Sequence, residues 1–406
     1  MNIILFDQPD FFTSLLPLTY TRPIALLRVG ILTIADKWKK NLNHPISYLT
    51  AEYLEEKYNL RLGGENMLIN GAICPNRELI DALDRLKIGE ALYQNDLLLA
   101  ANTDDNGVRQ FANLKKSNTF TKINFPHQIT LIKYPWDIFR NTADEIKNDF
   151  ELLTKGRTSA DIKDNYTRTY NDSQIFIEEG VEIKAAILNA EKGPIYLGKN
   201  SSVLEGAMIK GAFALGNDSV VNMGTKVRGD SSIGPCCKIG GEVSNSVLFG
   251  YSNKAHDGFI GNTVIGEWCN LGADTNTSNL KNNYLPVKVW NYNSESFYPT
   301  GMQFCGLIMG DHSKCGINTM LNTGTVVGVS ANIFGAGFPR TFIPSFSWGG
   351  AHGFNTFILN KTFETAELVM QRRNQILSKV DRDILTSIYE KSAKYRAWEK
   401  RKYNEI

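Results

Sequence analysis

The chain has 406 residues, 42% of them hydrophobic, and a formal net charge of +2. That length predicts two domains, or one long solenoid with a cap, and the near-neutral balance gives no electrostatic case for nucleic acid or an anionic membrane. No stretch approaches the roughly 18 uninterrupted apolar residues of a membrane span, and Met1-Asn2-Ile3-Ile4-Leu5-Phe6-Asp7 lacks the charged start, apolar run and cleavage site of a signal peptide. The cysteines, Cys74, Cys236, Cys237, Cys269, Cys305 and Cys315, show no CxxC spacing. They read as packing thiols, and a reducing cytoplasm is the expected location.

An opening strand over Asn2–Phe6 leads into a loop and the stretch Leu16-Pro17-Leu18-Thr19-Tyr20-Thr21-Arg22-Pro23. The pattern then predicts a helix over 32–42, a strand over 46–49, a short helix over 52–58, a buried strand over 67–73, a helix over 78–86 and a strand region over 91–101. Strands alternating with short helices predict a Rossmann-like α/β layer domain with a partly parallel sheet. Ligands of such sheets sit at the carboxyl ends of the strands, so the loop after the first strand is the place to look for a nucleotide.

That loop carries a resemblance. Leu16-Pro17-Leu18-Thr19, Pro23 and Leu26-Leu27-Arg28-Val29-Gly30 are similar to the P-L-T…P-K-P-L-L-P-V stretch of sugar-phosphate nucleotidyltransferases. The resemblance implies a triphosphate held by a G-x-G-T-R loop and a lysine, with Mg²⁺ on an aspartate of a Gly-Asp motif. The chain departs at all three places: Asp10-Phe11-Phe12-Thr13-Ser14 replaces the glycine loop, Ile24 the lysine, and Asn70-Gly71-Ala72 the Gly-Asp. Arg22, Arg28 and Lys37 are left as candidate nucleotide-binding cations, and Asp7 or Asp96 as a candidate metal ligand. If none of these serves, the domain is a degenerate relative. Lys133-Tyr134-Pro135-Trp136-Asp137-Ile138-Phe139-Arg140-Asn141 resembles the P-W-D-L-L…N element that leads out of this domain in two-domain enzymes. Residues 141–155 have helical spacing, and a boundary is expected near 165–173. The expected domains are 1–165, 173–338 and a C-terminal extension with a helix over 339–406.

The middle of the chain repeats every six residues: Leu197, Val203, Ile209, Leu215, Val221, Val227, Ile233 and Ile239. Neither helix nor strand has that period, and at this composition eight hits in register arise by chance only about once in a thousand placements. Hexapeptide repetition predicts a parallel β-helix, each hexad forming one short flat face. A second inward position, four places later, holds Ser201, Ala207, Phe213, Ser219, Thr225, Ser231, Cys237 and Val243. The repeat is expected to continue as Val247, Asn253, Phe259, Ile265 and Leu271, and to return as Met309, Cys315, Leu321, Val327 and Ile333. Residues 275–307 break register and are expected to form an extruded loop, able to close over a ligand.

Gly240-Gly241-Glu242-Val243, then Lys254-Ala255-His256-Asp257-Gly258-Phe259-Ile260-Gly261, then Asn270-Leu271-Gly272-Ala273-Asp274-Thr275 and Asn279 form the most telling series. It resembles the acetyltransferase half of the bifunctional N-acetylglucosamine-1-phosphate uridylyltransferase / glucosamine-1-phosphate N-acetyltransferase family. The fold this implies is a nucleotidyltransferase-like α/β domain followed by a left-handed parallel β-helix and a C-terminal helical segment. The implied chemistry is acetyl-CoA-dependent N-acetylation of an amino-sugar phosphate. An amine must be neutral to attack a thioester, so a base within hydrogen-bond reach is needed, and an imidazole's unperturbed pKa of about 6.5 suits it. His256 stands at the family's base position. The resemblance also implies Arg228 on the phosphate, Asn270 and Asn279 on the substrate, a backbone N–H near Ala273 on acetyl-CoA, and a homotrimer with substrate between subunits. The family's lysine after Glu-Val is Ser244 here, so Lys254, Lys281 or Lys288 would have to contribute. The tail, with a helix expected over 362–402, reads as a cap.

Two other readings stand beside this one: a nucleotidyltransferase of different specificity whose β-helix only trimerises the chain, and a non-catalytic nucleotide-sugar sensor. Mg²⁺ would be required only if the first domain is active.

Overall fold

The computed structural model describes residues 2–114 and 120–399, and the chain divides into two compact units. The first comprises residues 1–15, 21–27 and 32–134; the second takes 16–20, 28–31 and everything from Pro135 onward. The division lies before the helix Pro135–Thr154, not at 165 as expected, because that helix buries Ile138, Phe139, Ile146 and Phe150 within the second unit. Residues 400–402 of the expected C-terminal helix, and the rest of the extension to 406, lie outside the described residues.

The first unit is built on a mixed six-stranded sheet. Its order is Ile46–Leu49, Asn2–Phe6, Asn66–Asn70, Leu97–Thr103, Glu90–Gln94 and Thr121–Asn124. Asn2–Phe6 is parallel to both neighbours, whereas Leu97–Thr103 runs antiparallel to the strands beside it. The expected strand region over 91–101 is thus a hairpin turning at Asn95-Asp96. Helix Ile34–Leu42 starts where the Thr33 side chain accepts a hydrogen bond from the Asp36 amide at 3.1 Å, and ends on Asn43 at φ 51. That is a side-chain cap at one end and a left-handed stop at the other.

The second unit is a parallel β-helix. Its first wall stacks nine strands from Ile175–Ile177 to Phe342–Ile343; its second stacks nine from Glu182–Ile183 to Ser347–Gly350, to which Gly353–Thr356 adds antiparallel. The third runs from Arg168–Tyr170 to Phe259–Gly261 and resumes as Asn276–Thr277 against Met320–Leu321. The coil therefore begins before 173 and continues past 338. All eight residues of the hexad series are buried in one core cluster, and Ser201, Ala207, Phe213, Ser219, Thr225, Ser231 and Cys237 are buried beside them. Ile195, Phe213 and Ser231 stand opposite one another in consecutive coils, 18 residues apart each time.

After Ile239 the register departs from expectation. Val227 pairs with Val243, so Val243 takes the leading inward position, four residues after Ile239 instead of six. Ile233 then pairs with Leu248, not Val247, and Ile239 with Lys254. The following inward residues are Ile260 and Ile265. The hexad is thus not broken at Asn253; it is shortened one turn earlier and carries a lysine in its core.

The 275–307 segment is also more ordered than a loop. Asn276–Thr277 belongs to the third wall, and Lys288–Asn291 pairs antiparallel with Ser296–Pro299. Trp290 stacks on Phe342 at 4.2 Å, and Tyr292 meets Tyr395 edge-on at 5.3 Å. Glu295 pairs with Lys394. The insertion is pinned to the C-terminal segment.

Candidate functional site

The shortened turn makes the site. Val203 to Ile209 and Val221 to Val227 each span six residues, but Ile239 to Val243 spans four, so the corner at Gly240-Gly241 is set back between fuller corners. The result is a recess of about 700 Å³ lined by Leu204, Asn222, Met223, Gly240, Gly241, Ala255, His256, Asp257, Ala273 and Asp274. Only glycine fits its floor. A Cβ on Gly240 would lie 2.3 Å from the Ala255 carbonyl oxygen, and Gly241 has φ +72 with a Cβ 2.4 Å from that of Gly258. Such approaches exclude any side chain.

His256 is exposed on the turn Ala255–Gly258, and each carbonyl of that turn is held. The Asn222 amide reaches across the recessed coil to the Ala255 oxygen at 2.6 Å. The Lys254 ammonium donates to the oxygens of His256 and Asp257, the latter at 2.8 Å, and the Asp274 amide donates to Asp257 at 3.1 Å. Glu242 N–H holds the Gly258 oxygen at 3.0 Å. A turn so tied presents its imidazole from a fixed base, the condition for proton transfer at defined distance.

The other expected residues disperse. Ala273 lines the recess with His256. Lys254, expected on the substrate, lies inside the coil at 0% exposure, and burial pulls its ammonium pKa down to about 8. Arg228 is exposed on the third wall and pairs with Glu242 at 3.1 Å. Asn270 is exposed on the second wall, and Asn279 donates to the Asn262 side chain at 2.8 Å. None of the last three lines the recess, and neither does the 275–307 insertion. Asn222, Asp257 and Asp274 were missed. Asn222 lies one coil before Gly240 and Asp274 one coil after Asp257, so stepping by coil length from His256 would have found both; Asp257 is its neighbour in sequence.

In the first unit the nucleotide candidates do not assemble. Arg22 and Lys37 are buried, at 5% and 2% exposure. Arg28 belongs to the other unit, where its guanidinium donates to the carbonyls of Phe249, at 3.1 Å, and Ile31. Asp7 accepts from the Ile24 amide at 2.9 Å and the Thr50 hydroxyl at 2.6 Å, while Asp96 is exposed on the hairpin turn. The short helical turn Ile24–Leu26 covers the carboxyl edge of the sheet, with Ala25 packed on Gly71. Among the described residues no group of three or more His, Cys, Asp or Glu side chains is placed to hold a metal ion. The residues present do not fit Mg²⁺.

Burial pushes the Asp7 carboxyl from 3.8 up to about 7, against hydrogen bonds that pull it down. The folded chain thus binds more protons than the unfolded chain between those values, and stability from this group is lost as pH rises through that window. Asp7→Asn should gain on the native protein in melting temperature from pH 4 to 7.5; parallel curves would refute the assignment.

Residues 3–158 match the sugar nucleotidyl transferase family model. The bifunctional protein GlmU of Synechococcus elongatus is 29% identical over 153 residues, 36% of this chain and 29% of that protein. Its counterpart in Methanococcus vannielii is 29% identical over 212 residues, 50% of this chain and 42% of that one. In Methanocaldococcus jannaschii the figure is 37% over 87 residues, 21% of each chain. Each match spans less than half the length of the curated relative. The polySia-specific acetyltransferase NeuO aligns over 48% of this chain and 85% of its own at 15% identity and TM-score 0.26, too slight a likeness to bear on function. No helix among the described residues is long and apolar enough to cross a membrane. Residues 3–158 are thus similar to the sugar nucleotidyl transferases, and parts of the chain are similar to parts of the bifunctional GlmU proteins.

Proposed function

We propose that the chain is an acetyl-CoA-dependent N-acetyltransferase acting on an amino-sugar phosphate, with His256 as the base. The observation that supports it is an exposed histidine, on a turn whose carbonyls are all bound, at the edge of a recess of about 700 Å³. In this reading the imidazole removes a proton from the acceptor amine as its nitrogen attacks the acetyl carbonyl. The new C–N bond forms, the C–S bond breaks, and the coenzyme leaves as its thiol once the proton is returned. A backbone N–H near Ala273 would steady the developing oxyanion. Arg228, Asn270 and Asn279 stand outside the recess of one chain, and a homotrimer, with substrate completed by a neighbouring copy, is the arrangement that would give them a part. Nucleotidyl transfer is left out of the reading: Arg22 and Lys37 are buried, Arg28 belongs to the other unit, and Asp7 is committed to protein groups.

The test measures coenzyme A release from acetyl-CoA, and pyrophosphate release from UTP, with glucosamine 1-phosphate, glucosamine and glucose 1-phosphate. The unphosphorylated amine belongs in the panel because the recess lining holds Asp257 and Asp274 but no lysine or arginine. Coenzyme A release with an amino sugar, and no pyrophosphate with any, is the expected result. Pyrophosphate release alone, or no turnover of any amine, overturns it.

A further inference from the structure

We propose that Lys254 is a positioning residue for His256: a cation placed inside the β-helix core so that its ammonium, from beneath, fixes the backbone of the turn that carries the imidazole. The inference rests on the acyl-transfer reading of the recess.

The position is an unlikely one for a lysine on energetic grounds. Lys254 pairs with Ile239 in the second wall, and the next coil sets Asn270 opposite Asn253, so Lys254 falls in the inward file between Ile239 and Leu271. Both of those belong to the core cluster, and Lys254 itself is fully buried. Taking an ammonium out of water costs several kcal/mol unless its protons find acceptors. A leucine there would continue the hexad without that cost.

What the lysine does instead is local and directed. Its three N–H groups match three carbonyl oxygens: Gly240 at 3.3 Å, His256, and Asp257 at 2.8 Å. One acceptor belongs to the recess floor and two to the histidine turn. The same turn is held from the outside by the Asn222 amide at 2.6 Å on Ala255. Deleting two residues at Gly240-Gly241 opens the recess, and it also removes the longer corner that would have supported the next turn from below. The ammonium fills that gap. It acts on the imidazole only through backbone.

The charged and titratable groups facing the ammonium are Asp257, Asp274 and Cys315, all three favouring the protonated form. Burial outweighs them and brings the pKa from 10.5 down to about 8. As pH rises through that value the amine loses one of its three donors, and the turn loses a tether.

The test uses the full-length protein and Lys254→Met, which keeps the length and loses the donors. Hydrogen–deuterium exchange of residues 253–259 should quicken about tenfold or more in the variant, with other wall segments unchanged. With acetyl-CoA and glucosamine 1-phosphate, kcat should fall about tenfold or more while KM shifts less than about threefold. A decline in wild-type kcat above pH 8 should vanish in the variant. If the native protein transfers no acetyl group, the acyl-transfer reading fails and exchange alone decides the positioning claim. Should Lys254→Met not fold, loss of protection at 253–259 in the native protein between pH 7 and 9, corrected for intrinsic rates, takes its place. Unchanged exchange at 253–259, or KM rising as much as kcat falls, overturns the proposal.

Discussion

His256→Ala should lower acetyl transfer by two or more orders of magnitude with the fold intact, the loss typical of removing a positioned general base. The side chain is exposed, and the hydrogen bonds that hold its turn end on backbone carbonyls, so truncation removes the imidazole without leaving a cavity. Surface truncations of that kind change stability by about 0.5 kcal/mol or less. The measurement is kcat/KM for coenzyme A release across pH 6 to 9, alongside thermal unfolding. A variant with native activity would remove His256 from the chemistry, and with it the acyl-transfer reading of the recess.

Gly240→Ala should cost at least tenfold in activity and about 1–3 kcal/mol in stability, the usual range for overpacking a tight site. The new Cβ would lie 2.3 Å from the Ala255 oxygen and 2.7 Å from its carbonyl carbon, so the peptide preceding His256 has to move. Gly240 also donates to the Lys254 oxygen at 2.7 Å and accepts from its ammonium, so the displacement reaches both supports of the turn. Gly250→Ala is the control: its Cβ would meet nothing nearer than 3.5 Å. Kinetics and melting of the two variants together check the point. Equal activities would mean that the floor of the recess does not set the position of the histidine.

The β-helix was legible because the inward file of a coil must be apolar at every sixth position, and from Leu197 to Ile239 it is. The reading slipped where that rule was suspended. A four-residue step at Gly240-Gly241 and a lysine at the next inward place together look like a break near Asn253, and they led to Val247 in place of Leu248. His256 was found by motif; Asn222 and Asp274 were not, because only the coil lengths bring them to its corner. In the first domain Arg22, Lys37 and Asp7 kept a plausible residue type for nucleotide chemistry. Their burial and hydrogen bonding are tertiary facts that no local pattern displays.

A solenoid is held only by nearest neighbours, so it unzips from its ends. The hairpin inserted after the third wall changes which end is free. Trp290 and Tyr292 grip Phe342 of the last first-wall strand and Tyr395 near the close of the described chain, and Phe346 meets Tyr389 at 5.0 Å. The final turns are buckled back to a segment emitted several coils earlier. Loosening them requires opening an aromatic cluster as well as one rung, which makes the last third of the β-helix a single cooperative block. Fraying would then start at the opposite end, around Arg168–Tyr170, far along the chain from the recess.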